Sequence, residues 1–169
     1  NIPLVVFPLL PTPMDSLSKI SCSPDELQLV FRKNMKCNSI AADGTDFVVD
    51  LISGTTAVTV IGASGNCSAD GLTPIIKVKL SAPIQTKGTY RLRLVTGSDG
   101  NTIGDECNQF TPEGSSLVFN TKDTVNAGFT YAINLGCVRD TINYLHDGRN
   151  EVNVWKWNFD NLRTSRLQN

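Results

Sequence analysis

The side chains most able to do chemistry are gathered in loops. Asp43 and Asp46 stand in "CNSIAADGTDF", and Asp99, Asn101, Asp105 and Glu106 in "SDGNTIGDEC". Hard oxygen donors drawn from two loops could hold Ca²⁺, which takes about six to eight oxygens. No EF-hand spacing is present, and Asp, Asn and Gly also populate left-handed turns for purely local reasons. Both readings stay open on the sequence alone. Cys22, Cys37, Cys67, Cys107 and Cys137 form no C-x-x-C pair and no Cys/His cluster, which argues against zinc. The one histidine, His146, lies in a "HDG" turn. A Ser-His-Asp constellation needs a base oriented by a carboxylate. Asp147 adjoins His146 in sequence, and adjacent turn residues rarely converge. There is no G-x-S-x-G, and the glycines of "GSDGNTIG" follow no strand-to-helix phosphate pattern. The expectation is a protein that is not an enzyme.

The elements that must position these loops read as strands. Thr, Val, Ile and Gly are abundant, and Ala-, Glu- and Leu-rich helical stretches are nearly absent. Only "CSPDELQLVFRKNM" suggests a helix, yet Leu27, Leu29 and Phe31 alternate at strand period after a Pro24-Asp25 turn. Strands are expected at Ser16–Ser21, Leu27–Phe31, Asp46–Leu51, Ala57–Ile61, Ile75–Leu80, Tyr90–Val95 and Leu117–Asn120. In the fifth, Ile76, Val78 and Leu80 share one face and Lys77 and Lys79 the other. In the sixth, Arg91 and Arg93 point outward. Turns fall at Asp43-Gly44, Gly62–Gly71, Lys87-Gly88 and Ser98–Asn101. About seven strands in roughly 100 residues predict an immunoglobulin-like β-sandwich over residues 16–126. Tyr90 follows a Gly turn at the start of the penultimate strand, where a tyrosine corner would tie its hydroxyl to the preceding loop. A plain half-buried strand tyrosine is the alternative. In this topology both acidic loops reach the same end of the sandwich.

The chain has 169 residues and a net charge of −1, so nothing suggests a nucleic-acid footprint. No apolar run is long enough to span a membrane. The most apolar stretch, "IPLVVFPLL", is broken by Pro3 and Pro8 and has no basic residues before it. It reads as a strand or extended lead-in rather than a signal-peptide core, so residues 1–15 are expected to be a separate apolar segment or a strand of a preceding module.

A second unit is expected over residues 127–169. It holds strands in "GFTYAINLG", "VRDTINYLHDG" and "VNVWKWNFD". Alternation places Val152, Val154, Lys156 and Asn158 on one face and Asn153, Trp155, Trp157 and Phe159 on the other. About 43 residues bury too little surface for a complete sandwich. The chain is therefore read as a slice of a longer polypeptide whose neighbouring material covers the Trp157 and Phe159 face.

"GCVRDTINYLHDGRNEVNVWKWNFDN" resembles the first half of a PKD-like module. Phe159-Asp160 stands where that family carries Phe followed by Gly-Asp-Gly, with Asn161 altering the turn. The part before it resembles bacterial Ig-like modules. "LQLVFRKNM" is similar to their F-S-x-P-V strand, and "SDGNTIGDEC" to their Asp-x-x-Gly-Asn loop. The tandem, with "CNSIAADGTDF" and "DGNTIGDEC", is similar to the ectodomains of gliding-associated surface proteins exported by the type IX secretion system. The resemblance covers about Ser16 to Asn169.

The resemblance implies an all-β tandem: an Ig-like sandwich followed by the first strands of a PKD-like one. It implies that Trp157 is core and Trp155 nearer an edge. A platform for sugar rings is the competing reading of the two tryptophans. Export would favour disulfides. In the Ig-like topology Cys37, Cys67 and Cys107 share one end and Cys22 lies at the other. Cys37–Cys67 is then the leading pair and Cys37–Cys107 the second, with Cys137 left to pair beyond Asn169. The implied function is a structural or adhesive segment of a secreted or cell-surface protein, with neighbouring β-sandwich modules or other surface-protein chains as partners. The rivals are a carbohydrate-binding accessory module that takes glycans, and a self-assembling fibre subunit.

Overall fold

Alternation of apolar and polar side chains builds the first unit. Leu27, Leu29 and Phe31 of β2 (Glu26–Lys36) and Ile76, Val78 and Leu80 of β5 (Leu72–Leu80) all point inward and are buried. Lys77 and Lys79 stand outside among solvent, as period-2 geometry requires. The computed structural model describes residues 9–125, 127–148, 152, 154–159 and 163–167. Among them there is no α-helix, only a single 3₁₀ turn at Cys37–Ser39. The protein is all-β, and its strands pair antiparallel throughout.

The chain divides into two compact units, Asn1–Lys122 and Asp123–Asn169. In the first, β1 (Ser16–Leu17), β2, β5 and β4 (Val60–Gly65) form one sheet in the order β1-β2-β5-β4. The second sheet is β3 (Phe47–Ser53), β6 (Gly88–Leu94) and β7 (Ser116–Thr121), in the order β3-β6-β7. These are the strand orders of a seven-stranded, constant-type immunoglobulin sandwich. Inward residues of both sheets make one core, in which Leu29, Ile76, Tyr90, Leu92 and Leu94 are fully buried.

Several boundaries differ from those expected. The first strand is two residues long rather than six. The second runs to Lys36, because a register shift between Val30 and Met35 lets Arg32, Lys33 and Asn34 bulge outward and returns Met35 to the core. Residues 62–65, read as loop, belong to β4, where Ala63 pairs Val78. The expected boundary after residue 126 falls after Lys122. Residues 9–15 are not a separate lead-in. Thr12 and Met14 are buried in the first unit, and Thr111 Oγ1 donates to the Thr12 carbonyl at 2.6 Å. The apolar residues 1–8 lie outside the described residues.

Tyr90 is a core residue stacked on Phe119 at 5.3 Å. Its hydroxyl donates to the Thr56 carbonyl at 2.8 Å. Thr56 lies in the β3–β4 connection, so the backbone acceptor is not in the loop just before β6, although the side chain of Thr86 in that loop and that of Thr121 also hydrogen-bond the hydroxyl. An inward-pointing ring crosses the core, and its tip meets both the opposite loop and its own.

In the second unit, β8 (Thr130–Asn134) pairs β9 (Thr141–Leu145), and β10 (Trp157–Phe159) pairs β11 (Arg163–Ser165). The register Tyr131↔Tyr144 and Ile133↔Ile142 gathers those four apolar residues on one hairpin face. Among the described residues of this unit none is fully buried.

Candidate functional site

The disulfide and the acidic loops lie in the first unit. Cys37 and Cys67 are joined, with Cα atoms 6.2 Å apart. The bridge ties the 3₁₀ turn after β2 to the residues following β4. Cys22, Cys107 and Cys137 are free and exposed.

The six candidate cation ligands separate into three sets. Asp43, Asp46 and Asp99 form the first. Gly44 makes the Asp43 loop possible. Its φ is +79°, and a Cβ there would lie 2.6 Å from Val60 Cγ1 and 2.7 Å from the Gly62 nitrogen. Asp43 Oδ1 accepts from the Thr45 hydroxyl and amide, and Asp43 Oδ2 from the Ser98 hydroxyl at 2.8 Å. The Thr45 hydroxyl, the Thr45 amide and Ser98 hold its carboxyl below the usual range. Asp46 is 0% exposed. Its Oδ2 accepts from the Ala41 amide at 2.7 Å, while its buried Oδ1 has no hydrogen-bond partner. Burial pushes the Asp46 carboxyl up to about 6; the Ala41 amide opposes this, and the charges of Asp99 and Asp43 add to it.

Asp105 and Glu106 belong elsewhere. Asp105 Oδ1 accepts from the amides of Cys107 and Gln109, each at 2.9 Å, and Oδ2 from the Thr12 hydroxyl at 2.8 Å. Lys33 Nζ is 3.6 Å away. Burial works to raise this carboxyl. The Gln109 amide, the Thr12 hydroxyl, the Cys107 amide and the Lys33 charge outweigh it and hold the group low. Asp105 thus closes its own turn and pins residue 12, with its oxygens already used. Glu106 is exposed and accepts from Asn34 Nδ2 at 3.3 Å. The side chain of Asn101 helps line a separate pocket with Lys36, Asn38, Ser39 and Asn108. Among the described residues, no three His, Cys, Asp or Glu side chains converge into a ready-made metal cage.

The second unit carries an aromatic face. Trp157 packs edge-on against Phe129 at 5.2 Å and tilted against Tyr144 at 5.8 Å, and Tyr144 meets Phe159 at 5.5 Å. Trp157 is half-buried, and its Nε1 donates to the Leu167 carbonyl at 2.8 Å. Phe159 is 37% exposed. Neither is the fully buried core residue expected, because the β8–β9 hairpin that packs against them covers them only in part. Trp155 is half-buried too and lies 6.4 Å from the His146 ring. Its Nε1 is buried without a partner. A cleft of about 570 Å³ beside it is lined by Phe129, His146, Trp155, Lys156 and Trp157 among others. Asn153, Asp160 and Asn161 of the Trp-x-Trp-x-Phe-Asp pattern lie outside the described residues. His146 Nδ1 accepts from the Gly148 amide at 2.9 Å. That nitrogen is turned to its own turn.

No protein-family model and no curated protein matches the chain. Among solved structures, domains 1–6 of the surface layer protein SbsC are similar at 20% identity, a TM-score of 0.49, and coverage of 73% of this chain and 15% of that one. The S-layer protein rSbsC(31-844) gives 21% identity and a TM-score of 0.48, with the same coverages. The N-terminal part of the bacterial S-layer protein SbsC gives 18% identity and a TM-score of 0.49, over 83% of this chain and 33% of that one. The chain thus spans a third or less of those chains, and likeness at this level supports no statement about function. No helix among the described residues is long and apolar enough to cross a membrane, which leaves β-barrel spans unaddressed.

Proposed function

We propose that this chain is a non-enzymatic, structural or adhesive segment of a secreted or cell-surface protein, and that its second unit joins further β-structure. The open aromatic face carries this reading. Phe129, Tyr144, Trp157 and Phe159 cluster together, while Tyr131, Ile133 and Ile142 extend the apolar surface and stay exposed. Isolated two-stranded ribbons are marginal in water, and soluble proteins rarely leave contiguous apolar patches of several hundred Å² uncovered. A sheet laid over this face, or a strand added at the edges of β8–β9, would bury both the apolar groups and the free backbone groups. The Cys37–Cys67 bridge supports an oxidising compartment.

The chain's oligomeric state, measured by light scattering across a concentration series, tests this together with quenching of tryptophan fluorescence. Self-association that protects the tryptophans supports a second copy as the cover. A monomer with quencher-accessible tryptophans that become protected only when a neighbouring module is attached assigns the cover to that module. A monomer whose tryptophans are protected without either defeats the proposal.

One observation favours a second reading, glycan binding. Trp155, whose buried Nε1 is unpaired, helps line a cleft walled by aromatic rings. Saturable quenching of tryptophan fluorescence by soluble oligosaccharides, lost in Trp155→Ala, would favour that alternative.

A further inference from the structure

We propose that Asp46 and Asp99 form the protein half of a weak Ca²⁺ site at the loop end of the first unit, independent of what the second unit binds. The sequence offers six candidate oxygens donors for such a site, and the fold reduces them to this pair with Asp43 beside it. Asp46 Oδ1 is the observation that carries the assignment. It is a fully buried carboxylate oxygen with no donor facing it, although Oδ2 of the same group is satisfied by the Ala41 amide. An unsatisfied buried carboxylate oxygen is costly, and native folds rarely keep one without a partner.

The missing partner is positive and small. Among the described residues no Lys or Arg lies within ion-pair distance of Asp43, Asp46 or Asp99. The neighbouring charges are instead negative, from Asp99 and Asp43. Gly97 is the point at which the two carboxylates approach each other. A Cβ on that residue would lie 2.3 Å from Asp46 Oδ1 and 3.1 Å from Asp99 Oδ1, so both oxygens flank one bare Cα. Asp99 Oδ1 also accepts a long bond from the Asn101 amide at 3.3 Å, and that loop is held closed by the Gly97 amide donating to the Asn101 carbonyl at 2.9 Å. The Ser98 bonds to Thr45 and Asp43 fasten the two loops together, so the oxygens are fixed relative to each other before any ion arrives.

Two carboxylates at fixed positions with solvent on one side suit Ca²⁺ better than zinc or Mg²⁺. Calcium accepts oxygen ligands in irregular geometry and fills its shell with water. Zinc would want nitrogen or sulfur, and no His or Cys is part of the group. With so few protein ligands the affinity belongs to the weak class of extracellular modules, about 0.1 to 1 mM.

The test is thermal unfolding of the whole chain at constant ionic strength, in chelator, in CaCl₂ and in MgCl₂. At a tenfold excess over the dissociation constant, Ca²⁺ should raise the melting temperature of the first unit by about 5 °C. Asp99→Asn, an exposed change that leaves the core alone, should abolish most of that rise. Asp46→Asn should abolish it too and should raise the melting temperature measured in chelator. Glu113→Gln, a surface acid outside the group, should respond as the unaltered chain does. No calcium response in the unaltered chain overturns the site. So does a response that both Asp46→Asn and Asp99→Asn retain, or one that MgCl₂ reproduces in full.

Discussion

Leu27, Leu29 and Phe31 of the first unit are at most 4% exposed, whereas on the apolar face of the second unit Tyr131 and Ile133 stay 64% and 53% exposed. Strand composition does not separate the two regions, since both alternate apolar and polar residues and both pair antiparallel. What differs is whether a second sheet lies over the apolar face. β2 and β5 face β3, β6 and β7 across a shared core, while β8–β9 and β10–β11 share only a half-open aromatic cluster. Local sequence makes a strand and gives it an inside. The inside becomes a core only when another layer supplies its other wall.

The sharpest way to break this contrast is to remove the covalent tie that only the first unit has. Cys37→Ala with Cys67→Ala opens a loop of 30 residues and should cost about 3 to 4 kcal/mol in the chain-entropy account. Urea unfolding read from a probe in the first unit measures this, and a loss below about 1 kcal/mol would mean the unfolded chain gains little from the bridge. A paired truncation follows. Leu29→Ala removes a fully buried side chain and should cost about 3 kcal/mol. Ile133→Ala in the second unit should cost under about 0.5 kcal/mol in the isolated chain, because its side chain is already about half in water. Equal costs would show that the second unit has a core after all.

The pH dependence of the first unit should carry a specific signature. The Asp46 carboxyl titrates near 6 in the fold and near 3.8 in the unfolded chain, so the native state holds the extra proton between those values. Its contribution to stability is therefore full below about pH 4, falls as pH rises to about 6, and stays low above that, a loss of about 2 to 3 kcal/mol. Asp105 and Asp43 are shifted the opposite way, and their contribution is lost as pH falls below about 4. Chelator-treated chain should thus be most stable near pH 4 to 5, and Asp46→Asn should flatten the decline toward neutrality. An unchanged decline in that variant would assign it to other groups. A modest effect is expected at Tyr90→Phe. It leaves the stacking on Phe119 in place and removes the hydroxyl's bonds to the Thr56 carbonyl and to the Thr86 and Thr121 side chains, at about 1 kcal/mol.

Much of this was legible in the residues. The period-2 runs at Leu27–Phe31, Ile75–Leu80 and Tyr90–Val95 specify strands and their buried faces, because side chains on an extended backbone can only alternate. Seven such runs separated by Gly- and Asp-rich turns pointed to the sandwich, which brought Cys37, Cys67 and Cys107 to one end and left Cys37–Cys67 leading over Cys37–Cys107, and the fold joins the first pair. The acidic residues were identified as a group, yet sequence could not divide them. Asp46 and Asp105 are the same residue type in similar loops, and each is buried. One has its carboxylate filled by Thr12 and two amides, and the other keeps an orphaned oxygen beside Asp99. The participation of Thr12 was hidden because it lies 93 residues from Asp105. The hydroxyl of Tyr90 likewise takes its backbone acceptor from a loop 34 residues back. Sequence by itself determined which residues form strands and which of their faces is apolar, because those follow from local backbone geometry. Only the tertiary structure decided which acids are satisfied and which apolar faces are covered, because both depend on partners that chain folding brings in from far along the sequence.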